Sequence, residues 1–172
     1  MICFHDWEYY EYQNVRVFRV CKKCGRAQYK DKYLKDKWVP VTSDIEYEML
    51  AEAVMSSSTC LVAKFGCIIV NEKGRVIGVG SNRVPEGEVP CNVLGKCSRE
   101  VIWKDNKRFT RGCKCIHAEV HAVLEALKKQ KDLSNCTLYL AGEPSHARAP
   151  CEECSKVLRQ VNIKRVKWWS TC

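Results

Sequence analysis

The chain has 172 residues, 46% of them hydrophobic and 28% charged, with a formal charge of +9 and 13 cysteines. That length suits one domain of about 100–150 residues with an appendage, and the ordinary balance of apolar and charged residues excludes a disordered or collagen-like chain. No run approaches the roughly 18 apolar residues of a membrane span, and the first eight residues carry charges where a secretory leader needs an apolar stretch.

A reduced, cytoplasmic protein is therefore expected (host cytoplasm for a phage-encoded chain), and its thiols point to metal rather than to a disulfide framework. The positive charge favours phosphorylated or polyanionic partners, so nucleotide, RNA and DNA all remain open. The basic residues are spread over residues 22–37, 104–114 and 128–131, which reads most simply as solvated surface.

Residues 1–40 form a first segment, rich in aromatic and charged residues. Val15, Val17 and Val20 alternate with Arg16 and Arg19, which predicts a short strand. Cys3-x-His5 followed by Cys21-x-x-Cys24-Gly25 supplies four ligands of zinc-ribbon type, and the glycine permits a tight knuckle. So short a segment has little apolar surface, and a metal would carry its stability. Such a ribbon serves either structure alone or contact with nucleic acid. Residues 38–41 form a plausible link to a second unit, residues 41–172.

Ser43-Asp44-Ile45-Glu46 fits a capping box that starts a helix with Ile45, Met49, Ala53 and Val54 on its buried stripe; serines 56–58 end it. Residues 65–70 read as a buried strand, 71–74 as a turn and 75–80 as the return strand. Residues 83–115, with Pro85, Gly87, Pro90, Gly95 and Gly112, read as a long irregular loop, functional or metal-stapled. A helix is predicted from His117 to about Lys131 with Val120, Val123, Leu124 and Leu127 on one face. A strand at 136–140, a helix at 151–160 and a strand at 163–169 follow. This alternation predicts a layered α/β fold with parallel later strands. Cys67 and Cys136 fall in strands and read as core. Trp168 and Trp169 read as a sealed edge or subunit contact, with base stacking the alternative.

Two strings carry the chemistry. His117-Ala118-Glu119 opens one helix, and Pro150-Cys151-Glu152-Glu153-Cys154 opens the next. Two cysteines spaced by two residues reach one ion from the first turn of a helix, whose partial positive charge favours thiolates. His117 adds a neutral third ligand, leaving the fourth tetrahedral position to water, whose pKa the ion draws towards neutrality. Glu119 lies beside the metal without being needed as a ligand and suits proton transfer. Either string alone is ordinary. Their joint occurrence at successive helix starts is the signature of zinc-dependent nucleobase deamination.

These strings resemble the cytidine/deoxycytidylate deaminase superfamily over residues 43–169, and are most similar to dCMP deaminases of phage and bacterial type. Gly80-Ser81-Asn82-Arg83-Val84-Pro85-Glu86-Gly87 is similar to that group's G-x-N-x-x-P-x-G string. The resemblance implies a three-layer α/β/α sandwich with a mixed sheet, a homo-oligomer, a nucleoside triphosphate effector, and catalytic zinc on His117, Cys151 and Cys154. It implies that Asn82 contacts the nucleotide sugar and that the main chain at Ala118 holds the pyrimidine carbonyl. It also implies a structural zinc in the long loop. Cys60, Cys91 and Cys115 match three of its ligand positions, with Cys97 or Cys113 completing it; buried free thiols are the plain alternative.

The chain departs from the family in residues 142–149, which intervene before the Pro-Cys-x-x-Cys, and in stopping after a fourth strand where the family has a fifth. His-Ala-Glu-Val-His-Ala also resembles riboflavin-pathway pyrimidine deaminases, which place a zinc cysteine where this chain has Ser145. His121, one turn past His117, either lines the pocket or packs. Three readings follow: deamination of dCMP to dUMP with ammonia release, deamination of cytosine or adenosine within RNA or single-stranded DNA, and a non-catalytic zinc-built interaction module. The carboxylate of Glu119 counts against the last.

Overall fold

A computed structural model describes residues 3–32, 37–97, 99–104, 107–143 and 149–170. The insertion at 144–148, Cys172 and the Trp169 side chain lie outside the described residues.

The centre is a four-stranded sheet built from β5 (Phe65–Val70), β6 (Val76–Ser81), β9 (Thr137–Gly142) and β10 (Arg165–Ser170), in the order β10-β9-β5-β6. β5 runs antiparallel to both β6 and β9, while β9 and β10 are parallel, so the sheet is mixed. Side chains alternate across it. Ile68, Val70, Tyr139 and Ala141 face one core, and Cys67, Ile69, Leu138 and Leu140 face the other.

The first core is closed by α1 (Asp44–Met55). Its capping box forms as expected. The Glu46 amide donates to Ser43 Oγ at 3.4 Å, and the Ser43 amide donates to Glu46 Oε2 at 2.8 Å. Ser56 is the C-cap. Of the expected stripe, Ala53 and Val54 are buried and Met49 is half-buried, while Ile45 is exposed; Tyr47, Leu50 and Ala51 complete the inner face. The second core is closed by α3 (Ala118–Leu127) and α4 (Glu152–Gln160). This is the expected three-layer α/β/α sandwich.

The first segment is larger in structure than its alternation suggests. β1 (Trp7–Tyr12), β2 (Arg16–Cys21), β3 (Ala27–Asp31) and β4 (Val39–Pro40) form an antiparallel meander in chain order. Tyr10, Phe18 and Val20 enter the same apolar cluster as Leu50 and Val54 of α1, so one core runs across the expected boundary at residue 40. The loop at 83–115 is also more ordered than its prolines and glycines imply. It contains α2 (Cys91–Leu94) and the hairpin of β7 (Glu100–Lys104) and β8 (Lys107–Arg111). Among the described residues, no helix is long and apolar enough to cross a membrane.

Candidate active site

Close packing places α3. Its inner face is alanine: Ala118, Ala122 and Ala126 are buried, with Val123, while Leu124 and Leu127, expected inside, are exposed. The reason lies in β6. A β-carbon at Gly80 would sit 2.4 Å from the Ala118 carbonyl oxygen, and one at Gly78 would sit 2.2 Å from that of Ala122. Helix and strand touch backbone to backbone, which leaves no room for leucine. This contact fixes the start of α3 at the C-terminal end of β6.

His117 is the N-cap of α3, and Cys151 is the N-cap of α4. The two helix starts converge. His117 Nδ1 lies 3.4 Å from Cys151 Sγ and 3.2 Å from Cys154 Sγ. All three ligand atoms lie within 4.8 Å of one another. A tetrahedral zinc with ordinary bond lengths separates its nitrogen and sulfur ligands by about 3.6 Å, so the triad fits the ion. Cys154 is buried, and burial, the Glu119 charge and the Cys151 sulfur drive its thiol pKa far up. A divalent cation at this point removes that repulsion.

Glu119, in the first turn of α3, is only 6% exposed and lies close enough to Cys154 to push its thiol pKa up. Cys67 of β5 lies behind it, fully buried, and its thiol is also pushed up, by burial and then by Glu119 and Cys154. In front opens a cavity of about 180 Å³ lined by Phe65, Asn82, Arg99, Ala118, Glu119 and Leu140, with His117 and Cys151 at its edge. That is smaller than the roughly 300–1,000 Å³ of sites that enclose a whole drug-sized ligand. Larger clefts of about 360 and 430 Å³ flank His121 elsewhere, but they hold none of the triad.

Each expected site residue has a place. Ala118 is buried at the cavity wall. Asn82 also lines it, yet its amide is mostly committed to the scaffold. Oδ1 accepts from Ser58 Oγ at 2.7 Å and from the Phe65 amide at 2.8 Å, and Nδ2 donates to the Ala63 carbonyl at 2.7 Å. One N–H is left for a ligand. His121 turns away from the triad, with Nδ1 3.2 Å from the Ser81 carbonyl oxygen. Trp168 is half exposed, and Cys67 and Cys136 are core.

Arg99 escaped the sequence pattern. Its Nε is buried without a hydrogen-bond partner, in a cavity wall beside Asn82 and Glu119. Its only sequence signal was a basic residue in a long loop.

Cys3, His5, Cys21 and Cys24 form a second ligand cluster within 4.8 Å. The loop cysteines gather less tightly. Burial, with Cys113, Cys60 and Cys91 nearby, pushes the Cys115 thiol up to about 12. Cys113 also borders the catalytic cavity, and Cys97 Sγ accepts from the Arg99 amide at 3.4 Å. Among the described residues these five do not close into a third cluster of that size.

The fold and the triad define an α/β domain of the zinc-binding deaminase class. Residues 41–170 match the family model described as the cytidine and deoxycytidylate deaminase zinc-binding region, and the chain belongs to that family. It is 31% identical to a deoxycytidylate deaminase of Homo sapiens over 112 residues, which are 63% of this chain and 53% of that protein. With the deoxycytidylate deaminase of Enterobacteria phage T4 it shares 24% identity, over 71% of this chain and 75% of that one. The chain spans about half the length of the human relative. A crystal structure of dCMP deaminase from cyanophage S-TIM5 has the same fold, with a TM-score of 0.54 at 23% identity, covering 76% of this chain and 86% of that one. Cytidine deaminase from Burkholderia pseudomallei overlaps with a TM-score of 0.53 at 18% identity, covering 76% and 87%.

Proposed function

We propose that the chain hydrolyses dCMP to dUMP and ammonia. The observation that carries this is the buried Glu119 carboxylate beside the His117–Cys151–Cys154 triad, at the wall of a cavity that admits one ring. Relatives named deoxycytidylate deaminase supply the substrate class.

A zinc ion on the triad would supply the Lewis acidity that readies water for attack at neutral pH. Glu119 takes a proton from that water as oxygen bonds to C4 of the pyrimidine, and passes it to the adjacent ring nitrogen. The second proton travels by the same carboxylate to the exocyclic amine. The C4–N bond breaks, ammonia leaves, and Glu119 returns to its starting state. The first-turn amides of α3 have no partner within the helix, which supports a role for the main chain at Ala118 in holding the pyrimidine carbonyl. Asn82 offers its remaining N–H to the sugar, and Arg99 offers Nε to the phosphate.

The test is ammonia release from dCMP, CMP, deoxycytidine, dCTP and a cytosine-containing oligonucleotide. Preferential turnover of dCMP is expected, and turnover of the oligonucleotide alone would overturn the reading. One observation favours that rival: Arg19 is sandwiched between Trp7 and Trp38, 4.1 and 3.9 Å from their ring centroids, and a cationic aromatic surface suits single strands. Further parts of the same reading are a cytosolic homo-oligomer contacting through exposed Leu124 and Leu127, which sedimentation tests, and a loop metal on Cys60, Cys91 and Cys115 with Cys97 or Cys113 as the fourth ligand, which metal counting tests.

A further inference from the structure

We infer that Cys3, His5, Cys21 and Cys24 hold a structural metal ion, distinct from the one at the triad, and that this ion clamps the N-terminal sheet onto the head of β6 and the far end of α3. The site lies outside residues 41–170, which the deaminase family accounts for, so it belongs to this chain's own elaboration of the fold.

The ligand geometry comes first. The four donor atoms lie within 4.8 Å of one another. Cys24 Sγ is 3.4 Å from His5 Nδ1, and Cys3 Sγ is 4.0 Å from Cys21 Sγ. A zinc tetrahedron has edges of about 3.6–3.8 Å between such donors, whereas a disulfide brings two sulfurs to roughly 2.05 Å. Three sulfurs and one imidazole complete the coordination sphere and leave no position for substrate, the pattern of a structural site. The imidazole is held in place by Trp7, whose ring centroid is 4.8 Å away.

The knuckle around these ligands ties three parts of the molecule together. The Lys22 amide donates to the Asp6 carbonyl at 2.8 Å, which joins the entry to β1 to the end of β2. The Gly25 amide closes the knuckle on the Cys21 carbonyl at 2.9 Å, with Gly25 at φ +69°. The Gly25 carbonyl then accepts from the Val76 amide, the first residue of β6, at 2.8 Å. A β-carbon at Gly25 would meet the Val76 carbonyl oxygen at 2.5 Å, so knuckle and strand are in direct contact. Lys129, just past α3, lies within electrostatic reach of Cys21 and Cys24. The catalytic triad sits at one end of α3, and this cluster sits near the other.

The test is metal counting on the full chain loaded with zinc, then with cobalt as a spectroscopic stand-in. Cys21→Ser/Cys24→Ser is expected to lose one ion per chain relative to wild type while keeping the catalytic ion. In the Cys151→Ser/Cys154→Ser background, adding Cys21→Ser/Cys24→Ser is expected to remove one further ion, and the X-ray absorption lost with that ion reports three sulfurs and one nitrogen, its cobalt form showing tetrahedral bands with thiolate charge transfer, whether or not a loop metal is present. Unchanged metal content in Cys21→Ser/Cys24→Ser overturns the inference, as does a lost ion without that coordination.

Should the first variant fail to fold, hydrogen exchange decides on the second. Stripping its remaining metal is expected to lose protection at Lys22, Gly25 and Val76 while the β9 amides stay protected. Protection that survives metal removal at those three positions also overturns the inference. None of these readouts depends on which substrate the catalytic site takes.

Discussion

Glu119 sits where a carboxylate has few other reasons to be: buried, close to the Cys154 sulfur, facing a cavity. Glu119→Gln keeps the shape and removes the proton carrier. Turnover is expected to fall by about 10²–10⁴-fold with the catalytic zinc retained, as measured by ammonia release alongside metal content. An active variant would refute the assigned role. Arg99→Ala is expected to raise KM for dCMP roughly 10–150-fold, the equivalent of one lost charge-assisted hydrogen bond of about 1.5–3 kcal/mol, while leaving deoxycytidine turnover unchanged. Equal losses on both substrates would make Arg99 a scaffold residue.

The triad and Glu119 were legible because short fixed spacings at helix starts leave little freedom in where side chains point. Arg99 was not, since its place depends on how a long loop folds back. Asn82 was legible in position only; no spacing reveals that Ser58, Ala63 and Phe65 already use most of its amide. His121 bears on pH. Burial, chiefly, lowers its pKa, with the nearby Arg83 and Lys128 charges adding to the effect. The folded chain therefore resists protonation that the unfolded chain accepts near pH 6.5. The unfolded state binds more protons below that point, so stability falls as pH drops through about 6.5 and recovers above it. Urea melts of His121→Gln are expected to show a flatter acid limb; an unchanged limb assigns the sensitivity to other groups.

At the scale of elements, period was legible and phase was not. The α3 pattern offered Val120, Val123, Leu124 and Leu127 as an apolar face; Val123 is buried as expected, but the sheet otherwise takes the alanine face. The choice is made by Gly78 and Gly80, two positions in a different element. Gly80→Ala is expected to cost about 1–3 kcal/mol through overpacking and to shift His117 relative to Cys151 and Cys154. A lowered melting temperature together with weakened catalytic-zinc affinity checks this. A variant that melts and binds zinc like wild type would show the contact to be compliant. The α1 cap and the β5–β6 hairpin were readable because turn and cap chemistry is local. The meander of β1 to β4 was only partly readable, because its inner face is built of Tyr10 and Phe18 among charged neighbours and completes its burial on α1.

At the scale of the molecule, residues 1–40 are less an attached module than a cover. The central sheet ends at β10 on one side, where Arg165 and Lys167 discourage a neighbouring strand. On the other side it ends at β6, a strand with apolar residues and two glycines but no charge. There the shield is the Gly25 knuckle at Val76 and the sheet behind it, with Tyr10 and Val20 lining one cleft with Val79 and Gly80. A chain shortened to begin at Val41 would keep every catalytic side chain and lose that shield. Its bare strand would then template copies of itself, so light scattering should grow with concentration where the full chain stays clear, and a shortened chain that stays clear would show that β6 guards its own flank.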